Sequence, residues 1–195
     1  ALLEELTNLV EQPTALLGSF NERYLQNLPP EVLIAVMKKH QRYFPVLDAN
    51  GNLSRHFIIV RNGDEKSADV VVDGNLQVIL ARFADAEFFI KADREKALED
   101  FVPELAQLTF QKELGSMLQK TTRIEKLTQQ LAKALALDPK QQETAARVAK
   151  LCKADLATDM VVEMTALQGI MGRYYARLSG EPEAVADGIF EHYLP

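Results

Sequence analysis

Asp155, Asp159 and Glu163 recur at four-residue spacing in the stretch "LCKADLATDMVVEM", residues 151 to 164, just after Cys152, the chain's one cysteine. On a continuous helix that spacing puts the three carboxylates on a single face, one turn apart. Three carboxylates beside a thiol could hold a metal ion, work as an acid/base pair, or form a solvated stripe. A catalytic metal needs several deprotonated ligands converging from different elements, usually with histidine among them. Of the three histidines, His40, His56 and His192, none stands at a spacing that pairs with Cys152 or Asp155. The solvated face is therefore the favoured reading of these carboxylates, and Cys152, among Ala149, Leu151 and Leu156, reads as a small buried hydrophobe. No P-loop, dinucleotide-binding glycine fingerprint, nucleophile elbow or zinc spacing occurs.

The basic residues offer a second chemistry. Lys38, Lys39, His40 and Arg42 precede Tyr43 and Phe44, and Arg173 and Arg177 flank Tyr174 and Tyr175. Charge mixed with aromatics can hold phosphates and stack bases, which makes Lys38, Lys39, Arg42, Arg173 and Arg177 candidate nucleic-acid contacts. The competing reading for each is the polar face of an amphipathic helix. Arg82 with Asp85, and Glu87 with Lys91, have the spacing of local helix ion pairs. The neighbouring Phe83, Phe88 and Phe89 predict that the Arg82–Asp85 pair is partly buried and structural.

The elements that must position these residues change character along the chain. "ALLEELTNLVEQP" predicts an amphipathic helix closed by Pro13, "TALLGSF" a short strand, and "LPPEVLIAVMKKHQRYFP" a helix with Pro30 in its first turn. Two apolar runs flank Asp48-Ala49-Asn50-Gly51, and Asn-Gly supplies the positive φ of a β-hairpin turn. "NLQVILARFADAEFFIKADREKALEDF" is apolar on most sides, as a buried helix would be. From about residue 105 strand signals stop. Phe110, Leu114, Met117, Leu118, Ile124, Leu127 and Leu131 fall at helical spacing, and Asp138-Pro139 is a cap followed by a favoured first residue. "TALQGIMGRYYARLSG" and "EPEAVADGIFEHYL" add two more helices. The expectation is an α+β part over residues 1–100 containing a β-hairpin, followed by an all-α part over 101–195.

Bulk properties set the limits. The chain has 195 residues, 47% of them hydrophobic, so it can bury a substantial core. A net charge of −6 argues against coating nucleic acid by charge alone, though a local basic patch on an acidic body remains compatible with it. No segment approaches the roughly 20 apolar residues of a membrane span. A single cysteine forms no internal disulfide, which fits a reducing cytoplasm. Because Ala1 falls inside a helical pattern and Pro195 directly follows "EHYL", the expectation is a piece of a longer chain.

Five blocks, "VLIAVMKKHQRYFPV", "ARFADAEFFIKAD", "FQKELGSMLQKTTRI", "CKADLATDMVVEMTALQGIMGRYYA" and "GEPEAVADGIFEHYLP", closely resemble the β subunit of the bacterial two-subunit glycyl-tRNA synthetase, in order and over nearly the whole chain. One departure is Met164, where the family pattern "VxEFxxxQGxMG" has phenylalanine, an apolar swap that repacking should absorb. The resemblance implies a subunit that binds tRNA(Gly) and completes an α2β2 assembly with the α subunit. Glycine activation with ATP and Mg2+ then belongs to the α subunit, and this chain holds no cofactor of its own. It also implies that the all-α part is HD-like. Aligning "CKAD" with the His-Asp pair puts Asp155 on the aspartate and Ala154 in place of the histidine. "KTTRIEKLTQQLA" supplies no earlier histidine, and the final aspartate falls beyond Pro195. Asp155 is then a degenerate metal position kept as scaffold, capping or pairing with a neighbouring base. A stand-alone HD-type metal-dependent phosphohydrolase using Asp155, Asp159 and Glu163 is the alternative.

Overall fold

The computed structural model describes residues 2–195; Ala1, where the first expected helix begins, lies outside the described residues. The fold is α+β, with a small antiparallel sheet and many helices. It divides into two compact units, one ending at Phe88 and the other running from Phe89 to Pro195. The division falls inside a long helix, Ala68–Asp93.

In the first unit, helix α1 (Leu2–Leu9) is followed by β1 (Pro13–Ser19), α2 (Arg23–Asn27) and α3 (Pro30–Ala35), then β2 (Phe44–Leu47) and β3 (Leu53–Asn62). The strands form a sheet in the order β1-β3-β2, all antiparallel. The expected hairpin is β2–β3, with Gly51 at φ 83° in its turn and the Asp48 carboxylate accepting from the Asn50 and Asn52 amides. Pro45, which cannot donate to a ladder, sits on the edge strand β2 beside a register shift. Buried rings of Phe20, Tyr24, Phe57 and Phe83 meet at centroid separations of 5.1 to 6.4 Å. Helix α3 does not continue as α to Pro45. It passes into a π-helical turn, Val36–His40, that carries Lys38 and Lys39.

Helix α4 (Ala68–Asp93) was expected to be buried on most sides. Only one face is: Ile79, Phe83, Ala86 and Ile90 are buried while Val70, Val78 and Phe88 are exposed. Its apolar residues are spread too evenly round the axis for their number to reveal which face packs.

The second unit continues through two 3-10 turns, Leu98–Phe101 and Pro103–Ala106, into a region that departs from the all-α expectation. Residues expected to begin a helix instead form a hairpin, β4 (Thr109–Gln111) with β5 (Gly115–Ser116), turned by Gly115 at φ 81°. Strands of three and two residues are too short for alternation to register against the coincidental helical spacing of Phe110 and Leu114. Helix α5 (Met117–Ala134) opens only afterwards, with a Ser116–Gln119 capping box. Helix α6 (Pro139–Leu151) starts at the expected Asp138 cap. Then come α7 (Asp159–Glu163), α8 (Ile170–Leu178) and α9 (Glu183–Glu191). Their core is built on Leu98, Leu105, Leu151, Met160, Met171 and Ile189. Among the described residues no helix is long and apolar enough to cross a membrane.

Candidate functional site

The carboxylate stretch is not one helix. Helix α6 ends at Leu151, a 3-10 turn spans Ala154–Ala157, and α7 restarts at Asp159 behind a Thr158 cap. The shared face predicted for Asp155, Asp159 and Glu163 therefore does not exist. Asp159 and Glu163 are exposed, whereas Asp155 is fully buried, so the solvated-stripe reading fails for it alone.

Asp155 is occupied by the backbone that follows it. Its Oδ2 accepts from the Gly169 amide at 2.6 Å and the Gly172 amide at 3.1 Å, which closes the N-terminus of α8. Those amides have no partner within the helix, and the helix dipole favours negative charge at that end. Two glycines make the approach possible. Gly169 takes φ 77°, and a Cβ on Gly172 would lie 2.7 Å from Ile189 Cγ2 and 3.0 Å from Asp155 Oδ2. Burial pushes the Asp155 carboxyl up to about 6, opposed by the Gly169 and Gly172 amides and by Lys153. Its Oδ1 has no hydrogen-bond partner.

A second buried carboxylate does similar work. Asp93, at the end of α4, accepts from the Asp159 amide at 2.8 Å, the Met160 amide at 3.1 Å and the Tyr175 hydroxyl at 2.6 Å. Desolvation raises its carboxyl above the ordinary range, against those three donors. Nothing in the sequence marks Asp93, because its partners lie 66 to 82 residues away.

The donor set around Asp155 does not fit a metal. One oxygen is committed to two amides and Ala154 offers no ligand. Among the described residues no three His, Cys, Asp or Glu side chains gather to hold an ion. Cys152 is buried, and burial raises its thiol above the usual range.

The candidate cations differ in their surroundings. Lys38 and Lys39 are exposed on the π-helical turn. Arg42, at φ 56°, has its Nε 2.6 Å from Glu5 Oε1. Arg177 forks onto Glu183 and reaches Asp187 at 3.2 Å. Arg173 lies 4.0 Å from Asp187 and stacks over the Phe190 ring. Arg82 Nη1 stands 3.7 Å from Asp85 Oδ2, with both side chains about half exposed. Glu87 accepts from Asn27 Nδ2.

The fold is α+β, and the two buried acids, Asp93 and Asp155, are committed to helix amides. Comparison with known proteins makes the class particular: the chain belongs to the glycyl-tRNA synthetase beta subunit family, whose profile matches residues 1–195. It is 50% identical over 194 residues to a Synechocystis protein named "Glycine--tRNA ligase beta subunit", covering all of this chain and 27% of that protein. A Bacillus subtilis protein of the same name is 46% identical over 194 residues, with 100% of this chain and 28% of that protein covered. The chain thus spans about a quarter of the length of the curated relatives it matches.

Proposed function

We propose that this chain is the part of a glycine–tRNA ligase β subunit that supports tRNA(Gly) binding and α2β2 assembly in the cytoplasm. Glycine activation with ATP and Mg2+ then takes place on the α subunit. The observation that carries the reading is the family match over the whole chain, with relatives named glycine–tRNA ligase beta subunit. The second unit is proposed as an HD-like domain in which Asp155 sits at the degenerate metal position and closes α8 in place of binding an ion. The phosphohydrolase alternative lacks support, because the carboxylates it needs are divided between a buried cap and two exposed positions.

The chain alone should give no glycine-dependent ATP–pyrophosphate exchange and no phosphomonoester hydrolysis with magnesium, manganese or zinc. An intact β subunit containing it should restore glycylation of tRNA to an α subunit. Hydrolysis abolished by Asp155→Ala, or exchange without α subunit, would overturn the proposal.

A further inference from the structure

Helix α5 carries Lys120, Arg123, Lys126 and Lys133 against one acid, Glu125, on a chain whose net charge is −6. Arg123, Lys126, Gln130 and Lys133 are spaced i, i+3, i+7 and i+10. At 100° per residue they fall within a stripe about 80° wide, with Glu125 about 160° round from Arg123. All four stripe residues are exposed. Lys112, also exposed, precedes the helix in the β4–β5 turn, and Lys120 is stacked over Phe110 at 3.9 Å. Among the described residues, Arg123, Lys126 and Lys133 make no ion pair, unlike Arg42, Arg147, Arg173 and Arg177.

We infer that this α5 stripe is the surface of the second unit that receives the phosphate backbone of tRNA. The inference rests on the proposed function and deepens it by naming the contact. Cations already neutralised by neighbouring carboxylates have little net field to offer a polyanion, and exchanging one acidic partner for another releases few counterions. A row of unpaired donors, with no acceptor acid among them, has both the field and the hydrogen-bonding capacity. Arg123 to Lys133 spans about 15 Å along the axis, long enough to follow several consecutive phosphates. The apolar row Leu127, Leu131 and Leu135 lies beside the stripe and is 59 to 68% exposed. An acidic protein surface is therefore the rival occupant that a test must separate.

The experiment uses the intact β subunit assembled with its α subunit, as wild type and as Arg123→Gln/Lys126→Gln/Lys133→Gln, glutamine being a comparable helix former. Binding of tRNA(Gly) is titrated against salt, alongside complex mass and glycine-dependent ATP–pyrophosphate exchange. The variant should show a log–log salt slope shallower by about 2 to 3 and affinity at 0.1 M salt weaker by on the order of 100-fold. Its assembly and exchange should be unchanged. An unchanged slope in a variant whose wild type binds tRNA overturns this inference alone. Loss of α2β2 assembly with the slope retained assigns the stripe to a protein partner and also overturns it. Absence of tRNA binding by the wild type overturns the proposed function itself.

Discussion

The second unit uses charge in two opposite ways. At the end of α4 and through α6 to α9 several charges are answered from within: Asp93 and Asp155 by helix amides, Arg177 by Glu183, and Arg147 by Glu99 and Glu181. Along α5, Arg123, Lys126 and Lys133 have no such partner among the described residues. Where charge is answered internally, deleting it should cost stability. Where it is left open, deleting it should cost binding and leave the fold alone. Residue type does not separate the two cases, since arginine and lysine occur in both.

The largest effect is expected at Asp155→Ala. Two buried amides lose their acceptor and α8 loses its cap, so urea unfolding at pH 5 should show a loss of about 2–4 kcal/mol. A loss below about 0.5 kcal/mol would remove Asp155 from the internally satisfied class.

Asp155 also predicts an unusual pH dependence. Its carboxyl is pushed up to about 6 from 3.8, so the folded chain takes up the proton before the unfolded chain does. The contribution is fully present below about pH 4 and fades as pH rises through 6, by up to roughly 3 kcal/mol. Glu99 runs the other way. Hydrogen bonds from Arg147 and Lys150 push its carboxyl down to about 2, so its contribution is present above about pH 4.5 and lost as pH falls through 2. Unfolding free energy measured from pH 4 to 7 should therefore decline, and Asp155→Asn should flatten the decline.

Smaller effects grade the comparison further. Gly172→Ala forces a methyl against Ile189 and Asp155 and should cost about 1–3 kcal/mol in thermal unfolding, less the gain in helix propensity. Arg177→Gln breaks a pair whose two side chains are 43% and 63% exposed, so chemical denaturation should register no more than about 1 kcal/mol. Lys126→Gln on α5 should stay within about 0.5 kcal/mol of wild type.

Features written in local chemistry were legible in the sequence. Asp138-Pro139 marks the start of α6, Asn50-Gly51 turns the hairpin, and the apolar spacing of α8 and α9 finds both helices. Features that depend on distant partners were not. The break between α6 and α7 rests on Thr158, whose hydroxyl donates to the Asp155 carbonyl while accepting from the Val161 amide, with no Glu or Gln three residues on to complete a recognisable box. Asp155 resembles Asp159 in type and spacing, and only the return of Gly169 and Gly172 makes it a buried cap. The surroundings of the cations were hidden for the same reason. Arginine beside tyrosine in α8 marks Arg173 and Arg177 as candidates, and that both also face carboxylates depends on α9, which the pattern around them does not encode.

A side-by-side salt titration of tRNA(Gly) binding by the assembled enzyme separates open from internally answered charge most directly. The two forms compared with wild type are Arg123→Gln/Lys126→Gln/Lys133→Gln on α5 and Arg173→Gln/Arg177→Gln on α8. The predicted result is a slope shallower by about 2 to 3 for the α5 form and a wild-type slope for the α8 form. The reverse pattern, with the slope reduced only when Arg173 and Arg177 are replaced, would contradict it.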